Sequence, residues 1–437
     1  MMKTNLFFLM MLVLFFGRTA GAQEKLTLSL DAAKVYALNY NKTMINSGLS
    51  VDQSQEKLRE AIAAGLPQVN ATTDYTNAMG AKISIQFDEN APASQIPIKP
   101  TSNFNLQVGQ LIFSANYLVG LQSAKIYKRI TEKNLEKSGQ EIVSQVTGSY
   151  YLVLVSDESV KILESNTANL DDVYQRTKPM VEVGMMEQVE LDQLLVQVNS
   201  LKNALKAAQR QSEIARNILR LQLGVSAETE LDLTDTLADL LTGRTIPGSL
   251  GKTFSPEQNI DYQLLDIQEE MSEKQVDMSK ASYLPSLSGY YSFTHKLLKP
   301  AFDMSPAHLV GLNLNIPVFS GGERRSKVKQ AEIDLETMRN NRALLQDQLE
   351  VQYRQLSYNL KNVLETYELQ KQNVEVSREV YKRLKEKFEQ GVISGLELTT
   401  ADNNYLKSES DFLQVKLELL QAQNELNTLT GEYKTIK

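Results

Sequence analysis

The sequence predicts a mainly α-helical protein that crosses a membrane on β-strands and is written as two copies of one strand-pair and long-helix repeat. Three observations carry this prediction. Glu323 to Gln390 contains no Gly or Pro and carries a series of apolar residues from Val328 to Phe388 spaced by 3, 4 or 7, the signature of a coiled-coil seam. Short segments of strict polar–apolar alternation precede that run and its counterpart, about Ala115 to Val183. Finally, landmarks recur in the same order. Phe113-Ser114 returns as Phe319-Ser320, Gly184 as Gly391, and Leu223-Gly224 as Thr430-Gly431, at offsets of 206 or 207. Leu66-Pro67 returns as Leu284-Pro285 at 218, so the first copy carries about twelve extra residues, in the Pro-, Ser- and Asn-rich stretch Asn77 to Thr101. Four matches in one order indicate an internal duplication.

The N-terminus opens on Lys3, continues through an apolar run from Leu6 to Phe16 and closes at Ala20-Gly21-Ala22, the three parts of a secretory signal over residues 1–22. The apolar run is too short to span a bilayer, which takes about 20 helical residues. No later stretch is apolar enough to span as a helix, so a membrane would have to be crossed on strands.

The first repeat is expected over 23–224, with a helical run from about Leu30 to Ala64. Its strands fall near 68–77 and 102–112, the long helix near 115–183 and the return helix near 187–222. Residues 225–253, holding Gly243, Pro247, Gly248 and Gly251, read as a connector. The second repeat is expected over 254–431, with a helical run from about Pro256 to Ser282. It has strands near 286–295 and 308–318, a long helix near 323–390 and a return helix near 395–430, and a tail follows at 432–437. A helix of this length extends roughly 100 Å at 1.5 Å per residue, so it must build a tube or a rod. Pro179, one turn before Gly184, is expected to kink the first long helix.

The alternating segments place Leu287, Gly289, Tyr291 and Phe293, or Val310, Leu312 and Leu314, against Ser, Thr and Asn. In the first copy Phe104, Leu106 and Val108 alternate with Asn and Gln. Each is about ten residues, the length of a tilted membrane strand. The uncharged polar face suits a water-filled lumen. Alternation alone equally describes a half-buried sheet of a soluble protein; the secretory signal and the flanking helices decide for the membrane. Four strands cannot close a barrel, because open edges are not tolerated in lipid, so closure demands an oligomer.

Composition narrows the function. The 437 residues include no cysteine and two histidines, with a formal net charge of -7. Loss of the signal removes Lys3 and Arg18 and leaves 44 basic against 53 acidic residues. Such a surface repels phosphate backbones, so nucleic acid is not an expected partner. Without cysteine there is no disulfide, thiolate nucleophile, thiolate metal site or lipid anchor on a cysteine. His295 and His308 read as surface or strand-end residues, which leaves nothing for a triad or a zinc site. No enzyme, cofactor or metal is expected.

The landmarks resemble those of the TolC-like outer-membrane channel family over essentially the whole mature chain. The most specific are two tip turns, Val183-Gly184-Met185-Met186-Glu187-Gln188-Val189-Glu190-Leu191 and Gln390-Gly391-Val392-Ile393-Ser394-Gly395-Leu396-Glu397-Leu398. The Leu-Pro strand entries and Pro317-Val318-Phe319-Ser320-Gly321-Gly322 are similar to that family's barrel-to-helix joins. The resemblance implies a homotrimer in the outer membrane of a Gram-negative bacterium, with a twelve-stranded β-barrel continued by a periplasmic α-helical barrel. It also implies an exit duct for efflux or type I secretion, which docks a periplasmic adaptor driven by an inner-membrane pump or ABC exporter. The pattern departs at Gln390, where Val is common, at Ile393, where some members are basic, at Phe388, where a tyrosine locks the closed tip, and at Thr400, where some relatives place a second acid. A chain without an N-terminal cysteine also departs from the lipidated branch.

Candidate site residues follow from the tips. Val183, Gly184, Met185 and Met186, with Gln390, Gly391, Val392, Ile393 and Ser394, form the expected adaptor-docking turns, although both glycines are equally read as helix caps needing positive φ. Glu190 and Glu397 lie six residues after each glycine. In a trimer each gives three carboxylates around one axis, a ring favouring cations; otherwise each is a solvated helix-face acid. Two further readings stay open: a secreted trimeric coiled-coil stalk or adhesin, and the periplasmic adaptor itself. The first leaves two inserted strand pairs unexplained, and the second needs a separate compact β domain.

Overall fold

A computed structural model of the chain describes residues 25–86, 94–242, 254–298 and 305–433. The signal segment 1–22, most of the connector's second half and the tail beyond 433 lie outside the described residues. In chain order the elements are β1 (Lys25–Leu28), α1 (Leu30–Tyr40), α2 (Lys42–Ala63), β2 (Gln68–Thr76), β3 (Lys82–Ile85), β4 (Ser94–Pro97), β5 (Thr101–Ser114), α3 (Ala115–Glu182) and α4 (Gln188–Leu223). There follow β6 (Glu230–Leu233), α5 (Leu237–Thr242), a single 3-10 turn (Pro256–Gln258), α6 (Ile260–Ala281), β7 (Ser286–Leu298), β8 (His308–Asn315), α7 (Glu323–Glu389) and α8 (Gly395–Leu429). Among the described residues no helix is long and apolar enough to cross a membrane. The chain divides into two units, one of residues 48–134 and 261–346, the other of 1–47, 135–260 and 347–437.

The first of these units holds a four-stranded antiparallel sheet in the order β2-β5-β7-β8. Its register sets rows of one polarity across β2, β5 and β7. Val69 pairs Val108, which pairs Tyr291, which pairs Val310, and beside it Ala71, Leu106 and Phe293 line up with His308. The alternate rows are polar: Asn70, Gln107 and Ser292, then Thr72, Asn105 and Thr294. A shift of one residue would mix the two faces, so the pattern pins the register. The apolar row is uncovered within the chain, with Val310 at 76% and Leu312 at 72% exposure. On the other face the Tyr290 ring lies over Gly311, where an added Cβ would come within 2.5 Å of it. Among the described residues, strands β2 and β8 each have one unpaired edge, and every residue of β2 is exposed. Helices α6 and α7 are tied by charge, with Arg342 reaching Glu269 and Asp266 at 2.8 Å and Arg339 reaching Glu269 at 3.1 Å.

The other unit is built on a parallel pair of four-residue strands, β1 beside β6. The segment expected as a plain connector thus supplies a strand and the short helix α5. The joint is polar and buried. The Tyr150 hydroxyl donates to the Asp235 carboxylate at 3.0 Å, and the same carboxylate accepts the Leu30 N–H at 2.6 Å, fixing the start of α1. Leu28, Leu30, Tyr150, Leu219, Leu231 and Leu420 close the core around it.

The duplication recurs in the hydrogen bonds. The expected helix from Leu30 to Ala64 breaks at Asn41, whose side-chain amide donates to the Gln222 carbonyl at 2.7 Å and whose oxygen accepts the Thr43 N–H at 2.8 Å. Asn259 plays the first part in the second repeat, donating to the Leu429 carbonyl at 3.0 Å. Each acceptor lies two residues before a closing glycine. Asn259→Ala should therefore destabilise the chain by about 1–3 kcal/mol, because the buried carbonyl loses its donor. A smaller loss in a chemical denaturation series would show that water replaces the amide.

The structure differs from the sequence expectation at further points. Strand β8 ends at Asn315 rather than 318, where Pro317 cannot donate to a ladder. The stretch Asn77 to Thr101 carries its own hairpin, β3 with β4. The helix assignment of α3 continues through Pro179 to Glu182.

Candidate functional site: the two glycine tips

Both long helices end in the same turn. Gly184 has φ +75° and Gly391 φ +70°, a region that glycine enters without strain. The Met185 N–H reaches back to the Met180 carbonyl at 2.8 Å and the Gly184 N–H to Val181 at 3.0 Å. At the second tip, Val392 reaches Lys387 and Gly391 reaches Phe388, both at 2.9 Å. These paired bonds are the Schellman arrangement, which satisfies the last carbonyls of a helix. Among the described residues no atom lies within 4 Å of where a Cβ would stand at either glycine, so neither turn is wedged against a neighbour there.

The following helices start differently. Ser394 caps α8, its hydroxyl accepting the Glu397 N–H at 3.3 Å, whereas Glu187 begins α4 with no side-chain cap. At the tips Val183, Met185 and Val392 are exposed, and Met186 and Ile393 turn inward onto a cluster of Leu170, Val173, Leu194, Leu398 and Phe388. Gln390 is exposed. The two turns are neighbours, because Gly395 packs against Glu190, with 3.5 Å between its Cβ position and that of Glu190. Farther along, Gln197 of α4 donates to Asn403 of α8 at 2.6 Å, so the two return helices run side by side in one direction. Glu190 is therefore half-covered, while Glu397 is exposed on a groove of about 480 Å³ lined by Val376, Val380, Leu384, Leu396 and Thr400.

A family model described as "Outer membrane efflux protein" matches residues 35–225 and 257–432. The chain belongs to the outer membrane efflux protein family. Each matched stretch ends one residue past a closing glycine, Gly224 or Gly431. Among curated relatives, the outer membrane protein TolC of Vibrio cholerae is 21% identical over 330 residues, covering 74% of this chain and 72% of its own. The probable outer membrane lipoprotein SilC of Salmonella typhimurium is 20% identical over 416 residues, 90% of this chain and 83% of its own. Among solved structures, CusC has a TM-score of 0.74 at 16% identity and covers 92% of both chains. The open state of the Neisseria gonorrhoeae MtrE outer membrane channel has a TM-score of 0.72 at 13% identity, over 92% of this chain and 88% of that one. These neighbours share the fold.

One residue of this outer membrane efflux protein, Asp402, escaped the sequence reading. Phe388, noted in the sequence for its place beside the second tip, is 3% exposed and anchors the end of α7 in the tip cluster. Asp402, one turn and a half beyond Glu397, is wholly buried in the same end of the molecule, and neither carboxylate oxygen completes a hydrogen bond. The only signal in the sequence was spacing. Asp402, Glu409, Lys416 and Gln423 recur every seven residues, which puts a polar stripe on one face of α8.

Proposed function

We propose that three copies of this chain close a twelve-stranded β-barrel in the outer membrane and continue it as a periplasmic α-helical barrel. Such an assembly is an exit duct for an efflux or type I secretion system. The observation that carries the reading is the four-stranded sheet, with two unpaired edges, one uncovered apolar face and one polar face. In lipid the edges must pair, and pairing β8 of one copy with β2 of the next satisfies every ladder without new sequence. The names of the relatives support an outer-membrane duct. The exposed turns at Val183 to Met186 and Gln390 to Ser394 supply the surface for a periplasmic adaptor, itself driven by an inner-membrane pump or ABC exporter. Glu397, and with less exposure Glu190, supply the acids at the narrow end. The mass of the detergent-solubilised protein tests the assembly: three chains are expected, and a stable monomer overturns it.

Topology has its own test. The hairpin region around Gly80 and the turn at Ser305 link strands β2 to β5 and β7 to β8, and both belong on the cell exterior in this reading. Epitope tags inserted at either position should bind antibody on intact cells. Binding only after the outer membrane is permeabilised would reverse the topology.

A further inference from the structure

A carboxyl group buried without hydrogen bonds is expensive when ionised, so its surroundings decide which form the packed protein holds. Asp402 is 0% exposed. From α7 it faces the Tyr381 hydroxyl, which is buried and also completes no hydrogen bond, and the more distant Lys385. From its own helix it faces the Glu409 carboxylate. Glu409 is held by the Tyr405 hydroxyl and by Asn166 of α3 at 3.3 Å, with Arg378 of α7 alongside at 3.9 Å. From α3 and α4 the cluster presents Leu170, Val173, Leu194 and Val198. Among the charged groups of those two helices in this stretch, Lys202 pairs with Asp171 and Arg176 with Asp172, at exposed positions. Burial, reinforced by the Glu409 carboxylate, pushes the Asp402 carboxyl up to about 7.

We propose that Asp402 is a protonation latch, which holds α7 and α8 packed at the tip while neutral and loosens them when ionised. When neutral, its hydroxyl can donate to the Tyr381 oxygen, and the apolar cluster closes over both. When ionised, the carboxylate keeps the Tyr381 hydroxyl as its one nearby donor, too little to offset full burial beside Glu409, and gains most by moving to water. The packed tip binds the proton more tightly than an open one. Packing is therefore strongest below the ordinary carboxylate range and is lost as pH rises through about 7. Coupling of this motion to passage rests on the reading of the tips as the mouth of the duct.

The chain has no cysteine, so Val392→Cys gives a single exposed site for a spin label in the full-length protein. Distances between labels on different copies should lengthen between pH 6 and pH 8. Asp402→Asn, nearly the same shape but uncharged, should remain at the short distance throughout. Glu409→Gln should keep the response but move its midpoint to lower pH, since one like charge is removed; an unmoved midpoint would overturn Asp402 as the titrating group. Absence of any pH response, or a response retained in Asp402→Asn, overturns the latch. Conductance in planar bilayers separates the second reading. A label shift that depends on Asp402 with no change in conductance leaves the latch standing and overturns the tip as the mouth.

Discussion

Gly224→Ala and Gly431→Ala should each destabilise the protein by roughly 2–5 kcal/mol, while the same change at Gly184 or Gly391 should cost about 1–2 kcal/mol. All four glycines adopt positive φ at the end of a helix and make the same paired backbone bonds. The left-handed conformation alone costs a side chain about 1–2 kcal/mol. The difference lies in what a methyl group would meet. At Gly224 the Cβ would stand 2.4 Å from the Tyr40 carbonyl oxygen, and at Gly431 it would stand 2.8 Å from that of Gln258. Both obstacles are backbone, held by the neighbouring Asn41 and Asn259 bonds, so relief requires moving a helix end, adding about 1–3 kcal/mol. At the tips there is nothing to meet. Midpoints of helix loss measured by circular dichroism on the four variants should fall into these two groups. Four equal losses would assign the whole cost to φ and remove the packing argument.

The long helices, the strand pairs and the duplication are legible because each is a local periodicity repeated many times. A seam at heptad spacing from Val328 to Phe388 has few competing readings, and the row from Val69 to Val310 was already present as alternation in each strand. What stayed hidden depends on residues far apart. Strands β1 and β6 have four residues each, too few to show a period, and they meet across some two hundred positions of chain. The break at Asn41 has the same cause: its side chain leaves the helix pattern intact in the sequence and serves a carbonyl at Gln222. Within a single window, nothing distinguishes that asparagine from a solvated one.

The site shows the same division. The tip glycines are legible because only a turn explains a lone glycine after so long a helical run. Asp402 is not, since it sits in Ala401-Asp402-Asn403-Asn404, which reads as an exposed polar face. Its burial is imposed by α7, whose Tyr381 and Phe388 close over α8 from another part of the sequence. The same packing buries Phe388 in the tip cluster. Polarity along one helix locates a face, and only the partner helix decides whether that face meets water.

Glu397→Gln should lower the cation-over-anion selectivity of the open channel about threefold to tenfold and weaken block by multivalent cations, with Glu190→Gln doing less. Glu397 stands in the first turn of α8, six residues past the tip glycine and thus within about 9 Å of the end along the helix. Its side chain is exposed on the groove beside Leu396 and Thr400, free to face whatever space the assembled copies enclose. Glu190 begins α4 in the equivalent turn, but Gly395 packs against its Cβ and backbone, which limits its approach to a common axis. In the proposed trimer, three carboxylates around one opening add their potentials, and cations concentrate there more strongly where the opening is narrow and water is scarce. Thr400, one turn farther on, adds a hydroxyl and no second charge, so a single substitution should remove most of the ring. Single-channel reversal potentials under a salt gradient read the selectivity directly. If both variants match the unsubstituted channel, the acids return to solvated helix faces, and the charge at the mouth must come from elsewhere.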